Sequence, residues 1–440
     1  MKILIINANK DHRHDSLTKL AYKINSGPIL VLQQLAATTP KEHDVKLIDD
    51  RYDVPDYNAD VDLVGISTLT PSALRAYEIA DEFRKRGKTV VLGGYHPSAL
   101  PKEAKQHADS VVIGEAENTW TRLLKDFENG NLKSFYNTDS LVDPASIPEP
   151  RNELLRIRPF VSPILTSRGC PYHCSFCSLS HFYGSVYRPR PIKNIIQEMK
   201  KIDRKFLYLC IDASLTIDID YSKALFKAMI PLKKKFVAYG SVPPLLKDDD
   251  LLKLSKEAGC INWSIGFETL SQNSLTKDAN KAYNVKDYAD LVKKIHEYDM
   301  NVFGTFVFGF DHDTPDIFDN TLNAVYDLGL DSAEFDILTP FPITRLFHQL
   351  EKEGRILTYD WTKYDFHHVV FEPKNMTPKE LFDGVAKVAK DFSSPIKSIQ
   401  RIMDVAINTK ALSNILAAIS FNFLYVRFHR EYQLIKQGRI

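Results

Sequence analysis

Twice along this chain, short apolar runs alternate with helical stretches, and a proline-rich segment separates the two blocks. In the first block, Met1 to about Gly130, the runs are KILIIN, HDVKLID, VDLVGIS, KTVVLGG and DSVVIGE. PSALRAYEIADEFRKRG, between the third and fourth, has helical spacing with Pro at its start and Gly at its end. Five apolar runs separated by helices imply a parallel sheet, so residues 1–130 are expected to form a doubly wound, Rossmann-like α/β domain covered on both faces. Ligands of such sheets sit beyond the carboxyl ends of the strands. The residues there are Asn9; Ser67, Thr68, Leu69 and Thr70; Gly93, Gly94, Tyr95 and His96; and Gly114, Glu115 and Glu117. Small and hydroxyl side chains dominate, so backbone can approach a large ligand closely. No GxGxxG follows the first strand, which weakens a nucleotide reading.

Residues 131–160, with Pro144, Pro148 and Pro150 in LVDPASIPEPRNELL, read as an interdomain linker. The second block, 161–360, offers six strands: SPILTSRG, FLYLCID, FVAYGSV, INWSIGFE, NVFGTFVFGF and SAEFDILTPFP. A closed eight-stranded barrel takes ~250 residues, so an open (β/α)6 partial barrel fits this length better. Residues 361–440 carry one further apolar run, HHVVFEP, and then helices. One helix, TPKELFDGVAKVAKDF, opens with a capping Thr377 and Pro378. This last region is expected to be a helical domain on the substrate side.

A net charge of +1 over 440 residues gives no basic excess, so nucleic acid is not expected as a partner. MKILIINAN reads as a first strand rather than a secretory signal. Five cysteines, an odd number, point to a reducing, cytoplasmic compartment. The most membrane-like stretch, Ala411 to Phe428, is interrupted by Ser413, Asn414, Ser420 and Asn422 and is too short to span. It reads as a packed helix, or as one lying on a membrane surface beside Arg427, His429 and Arg430.

Three of the five cysteines fall within SRGCPYHCSFCS: Cys170, Cys174 and Cys177. They follow the first strand of the second block, at the strand end where barrel chemistry sits. A closed structural zinc site wants four ligands, and His173 is poorly placed beside Cys174 to be the fourth. Three thiolates suit an iron-sulfur cluster with one iron left open, whereas a cluster used only for electron transfer takes four. Cys210 and Cys260 read as buried thiols.

This CxxxCxxC, with Phe176 before its last cysteine, resembles the radical S-adenosylmethionine superfamily. The resemblance implies a 4Fe-4S cluster whose open iron is chelated by the amino and carboxylate groups of S-adenosylmethionine. SIGFE, ending at Glu268, is similar to the fourth-strand motif whose acid approaches the ribose or methionine of that cofactor. GTFVFGFDHDT, which contains Phe308 and Gly309, resembles the fifth-strand region against the adenine, and LTPFPIT resembles a sixth-strand end. Asp212, in CIDAS, stands where many members carry a glycine-glycine-glutamate that holds the methionine ammonium.

The order GGYHPSALP, VIGEAE, proline linker, TSRGCPYHCSFC resembles the cobalamin-dependent subgroup over nearly the whole chain. The resemblance implies cobalamin, as methylcobalamin, at the strand ends of the first domain. DxHxxG, which would supply a histidine below the cobalt, is absent; the loop reads NKDHRHDS, and His12 and His14 read as solvated residues. A methylthiotransferase would bring three extra cysteines, but residues 1–169 contain none. The implied activity is C-methylation of an unactivated carbon through a 5'-deoxyadenosyl radical and methylcobalamin. The substrate would be a peptide or protein residue, for example in methyl-coenzyme M reductase, or a lipid. An electron donor of flavodoxin or ferredoxin type would serve it. Two other readings stand beside this: an oxidative cyclase or ring-contraction enzyme with the same cofactors, and a cofactor-binding sensor without turnover.

Overall fold

A computed structural model describes residues 1–10, 30–138, 140–156, 161–202, 208–210, 214–409, 411–436 and 438. Asp11, His12, His14 and Asp212 lie outside the described residues. The first sheet contains β1 (Lys2–Asn7), β2 (Asp44–Asp49), β3 (Leu63–Ser67), β4 (Thr89–Gly93), β5 (Ser110–Ile113) and β6 (Phe135–Asn137). All are parallel, in the order β2-β1-β3-β4-β5-β6. The five apolar runs became its first five strands. The sixth lies in the segment expected to be linker, and its FYN carries too few apolar residues to signal a strand.

Both faces of this sheet are covered, as near-continuous apolar strands require. On one face α1 (Leu30–Thr38) and, beyond α2 (Ala73–Lys85), α3 (Glu117–Glu128) enclose a core around Ile3, Ile5, Val91 and Trp120. On the other face α2 buries Ala76, Ile79, Ala80 and Phe83, and Trp361, Tyr364 and Val370 join the same cluster from far along the chain. Trp361 donates from Nε1 to Glu103 Oε1 at 3.1 Å. The stretch assigned from sequence to the start of a C-terminal domain thus completes the core of the first domain.

The second sheet contains β7 (Ser162–Ile164), β8 (Tyr208–Cys210), β9 (Phe236–Gly240), β10 (Cys260–Glu268), β11 (Asn301–Phe308) and β12 (Ser332–Ile337). They pair in parallel in sequential order, and β7 and β12 do not pair with each other, so the barrel is open. Alternation along β12 sends Ala333, Phe335 and Ile337 into the outer core and turns Glu334 and Asp336 to the inner face. HHVVFEP contributes only an isolated bridge, Ile356 to Phe371. Three helices follow: α4 (Pro378–Phe392), with its capping box between Thr377 and Glu380, α5 (Pro395–Thr409) and α6 (Leu412–Lys436).

A buried ion network joins the first sheet to a small antiparallel pair after β7, Ser167–Arg168 with Arg188–Pro189. Glu115, at the end of β5, accepts from Arg168 Nη1 at 2.8 Å and from Arg188 Nη1 at 3.1 Å. Its second oxygen also receives the Val142 N–H at 2.9 Å, and Glu117 pairs with Arg168. Side-chain exposure is 1% for Glu115 and 7% for Arg168, so removing one partner strands a desolvated charge. Glu115→Ala is expected to cost about 3–5 kcal/mol of stability, read as a lower urea midpoint. Surface control Glu82→Ala, which breaks only exposed pairs with Lys85 and Arg86, is expected to change it little.

Candidate active site between the two sheets

The cysteine loop starts where β7 has ended, and its entry is fixed by backbone sterics. Gly169 has φ 80°, and a Cβ there would lie 2.0 Å from the Val186 carbonyl oxygen. The next residue, Cys170, donates its N–H to the Gly184 carbonyl at 3.3 Å. Further along, Ser175 Oγ donates to the Asp278 carbonyl at 2.5 Å, and Asn280 Nδ2 to the His173 carbonyl at 3.0 Å. Phe176 meets Phe310 edge-on at 5.9 Å between ring centres, which anchors the loop to the turn after β11.

Cys170, Cys174 and Cys177 are unbridged thiols. Burial pushes all three upward, Cys174 to about 11. The charges of Cys170 and Cys174 act on each other, as do those of Cys174 and Cys177, yet no three His, Cys, Asp or Glu among the described residues converge on a single ion. Three neighbouring thiols would suit the corners of a multi-iron cluster with one iron left open. Cys260 is buried at the start of β10, and burial raises it to about 12.

Glu268 ends β10 at a break in register and has φ 65°, a left-handed conformation costly for a residue with a Cβ. Lys281 Nζ holds its carboxylate at 2.5 Å and also donates to the Gly266 carbonyl at 3.2 Å. The charges of both Glu268 and Lys281 are felt at Cys174. Lys281 escaped sequence reading because KDANKAYN has no periodicity to mark it. Phe308 turns its ring into the core against Phe318 and Phe335, so β11 presents Gly309 rather than an aromatic at its end. Gly309 (φ 106°) and Phe310 donate their N–H groups to the buried Asp313 at 3.0 and 3.1 Å. Burial raises Asp313 to about 6.

Two carboxylates that the sequence did not single out face the barrel interior. Glu334 lies beside Thr305, and Asp336 beside Val307. Burial raises Glu334 to about 7. Asp336 is raised well above the usual range by burial and then by the charges of Glu334 and Glu268.

A cavity of about 380 Å³ opens at the strand ends of the first sheet. Of the residues expected there, Ser67, Thr68, Leu69, Gly93, Gly94, Tyr95, Gly114, Glu115 and Glu117 line it. Gly94 has φ 102°, and a Cβ would stand 2.6 Å from the Thr68 carbonyl oxygen. That turn keeps Tyr95 at the cavity but sends His96 to the opposite face, where it is buried, 3.1 Å from Glu103 and packed on Trp361. Thr70 is also outside the lining, at the start of a short turn. Glu115 and Glu117 border the cavity with their carboxylates committed to Arg168 and Arg188. The cavity continues between the sheet and α1, past Gln34, Leu35 and Thr38 to Trp120. Leu165, Arg168, Phe182 and Tyr183 close it from the barrel side, and Tyr95 stacks on Phe182 at 4.2 Å. Glycine-bordered backbone and a largely apolar lining fit a broad, flat ligand with an appendage that can enter the slot.

Residues 164–325 match the model of the Radical SAM superfamily, and residues 30–124 match that of the B12 binding domain. The bacteriochlorophyllide d C-8(2)-methyltransferase of Chlorobaculum tepidum is 33% identical over 415 residues, covering 89% of this chain and 90% of its own. The chain belongs to the cobalamin-dependent radical S-adenosylmethionine methyltransferase family. This family's cofactors are a 4Fe-4S cluster, S-adenosylmethionine and cobalamin. A second relative within reach of this family member is the anaerobic magnesium-protoporphyrin IX monomethyl ester cyclase of Cereibacter sphaeroides, 27% identical over 74% of this chain and 58% of its own. The radical S-adenosylmethionine methyltransferase TsrM from Kitasatospora setae, solved with cobalamin and a [4Fe-4S] cluster, shares the fold, with a TM-score of 0.70 at 17% identity over 90% of this chain and 89% of that one.

Gly169→Ala forces the loop off the Val186 carbonyl and is expected to lower iron and sulfide content after anaerobic reconstitution several-fold. Cys260→Ser, remote from the loop, should retain both.

Proposed function

We propose that this protein transfers a methyl group to an unactivated alkyl carbon of a cyclic tetrapyrrole. The support is that a methyltransferase and a cyclase, different in outcome, are both named for tetrapyrrole substrates and both resemble this chain over most of its length. The lipid substrate expected from sequence rests on a weaker likeness, to the hopanoid C-2 methylase of Rhodopseudomonas palustris, 24% identical over 74% of this chain.

When bound, the cluster with S-adenosylmethionine supplies hydrogen abstraction through a 5'-deoxyadenosyl radical, and methylcobalamin supplies the methyl group. The chain's own residues hold and shield. Cys170, Cys174 and Cys177 are the cluster ligands, and the Glu268–Lys281 pair lies at the same strand-end level. Glu334 and Asp336 are two carboxyls inside the barrel with no paired cation among the described residues; burial favours their neutral forms, and the sulfonium and ammonium of S-adenosylmethionine would favour their ionised ones. Leu69, more than half exposed beside the cavity, would lie against a bound corrin.

The substrate would enter between the two sheets. Phe366 stands there with φ 69°, 44% exposed, and its carbonyl accepts from the Ile337 N–H at 2.8 Å. Phe341 meets it edge-on at 5.3 Å. The neighbouring Asp365 is fixed by Lys10, which follows β1, and by His368 at 3.0 Å. A strained, exposed aromatic held from both domains offers a flat apolar face to a macrocycle. A reductant of flavodoxin or ferredoxin type would deliver the electrons.

Anaerobic incubation of the reconstituted holoenzyme with S-adenosylmethionine, dithionite and an alkyl-substituted chlorophyllide tests the reading. Expected products are 5'-deoxyadenosine and S-adenosylhomocysteine together, with a pigment heavier by one CH2, and none from Cys174→Ala. Deoxyadenosine without S-adenosylhomocysteine would favour cyclisation, and neither product would favour a sensor. Glu334→Gln is expected to weaken S-adenosylmethionine binding about tenfold, as one lost charge contact of ~1.4 kcal/mol implies. Because Glu334 titrates near 7, wild-type affinity should rise between about pH 6 and about pH 8 as the carboxyl ionises, with a flatter profile in the variant.

A further inference from the structure

The helical hairpin α5–α6 carries an aliphatic ridge that the described residues leave uncovered. On α5, Ile396, Ile399, Met403 and Ile407 are all exposed, Ile396 by 80%. Their spacing of three, four and four residues places them in one stripe. Ser398, Arg401 and Val405 lie on the opposite side of that helix and are buried. On α6, Leu412 (70%), Leu416 and Ile419 repeat the pattern. Here too the other side is covered: Asn414 donates to the Asp299 carbonyl at 3.0 Å and bonds Asn301 Oδ1 at 3.2 Å, while Ala417 packs on Val237 and Ile261. An apolar helix face needs a cover, and the described residues provide none for this one.

We propose that this ridge is the interface of a homodimer, in which the hairpins of two copies pack as a four-helix bundle. The seven side chains expose roughly 700 Å², close to the ~800 Å² per partner of a standard interface. The ridge is self-complementary under a two-fold axis. Antiparallel pairing of α5 with its copy, centred near Arg401, sets Ile399 against Met403 and Ile396 against Ile407. The same register brings Lys397 to Asp404, since both stand on one flank of the helix. Closed two-fold symmetry satisfies both ridges at once.

Position argues for a second copy over a lipid surface. Asn301, Ile261 and Asp331, which α6 contacts, lie at the amino ends of β11 and β10 and just before β12. The hairpin therefore sits at the end of the barrel remote from the cysteine loop, where pairing leaves the mouth of the active site free. The flanks of the stripe on α5 carry Lys397, Gln400, Asp404 and Asn408, not the basic border that an anionic bilayer selects.

Sedimentation equilibrium of the reconstituted holoenzyme tests this. Wild type is expected to be dimeric at micromolar concentration. Met403→Glu should raise the dimer dissociation constant at least tenfold, with cofactor content and far-ultraviolet dichroism unchanged. Lys397→Glu should weaken the dimer, and Lys397→Glu combined with Asp404→Lys should restore it, which general loss of folding would not do. A monomeric wild type would overturn the proposal. So would dimers untouched by Met403→Glu, or co-sedimentation with phosphatidylcholine–phosphatidylglycerol vesicles that Met403→Glu abolishes while the dimer persists.

Discussion

Glu115 is the hinge on which the geometry of this protein turns. One carboxylate, almost wholly withdrawn from water, collects two guanidinium groups from beyond the proline-rich segment and the backbone N–H of Val142 from within it. Withdrawing three charges from solvent is tolerated because they pair with one another, although Nε of Arg168 and Nε of Arg188 are buried without a hydrogen-bond partner. Arg168 is two residues from Cys170, and Glu115 is at the end of β5. The same contact therefore fixes the end of one sheet relative to the first cysteine of the other.

Around that joint the two ligand-binding ends face each other. Radical chemistry asks its protein mainly for placement: two reactive groups must flank one substrate carbon while water is kept out. Rigid elements meet that demand better than loops. Here the loops that do carry function are pinned. The glycine before Cys170 abuts a carbonyl, Asp313 gathers the turn after β11, and Lys281 holds Glu268 in a conformation it would not otherwise adopt.

The strands were legible because parallel sheets bury both faces and so write their strands as unbroken apolar runs. All six barrel strands and five of the first sheet's six announced themselves in this way; β6, three residues at an edge, had too little to bury. The cluster loop was legible because cysteine is scarce and its spacing distinctive. Side-chain direction was not. His96 and Tyr95 are adjacent in sequence and part company only at the positive φ of Gly94, while Phe308 turns inward because β11 alternates. Glu115 read as a ligand contact from its position, and its commitment to Arg168 depended on a partner 53 residues away. Glu334 and Asp336 lay in plain sight within a strand, but only closure of the barrel around them makes their charge matter.

Trp361, Tyr364 and Val370 are chemically part of the first domain although more than two hundred residues separate them from its last strand. Folding of that domain during synthesis must then wait: its second face stays partly uncovered until most of the barrel has emerged from the ribosome. A fragment ending in the proline-rich segment would leave His96 and Glu103 without their tryptophan partner, and grafting the first domain onto another enzyme would require carrying the distant tryptophan along. The two halves are modular in their ancestry of form, yet in this chain neither is finished until the other is made.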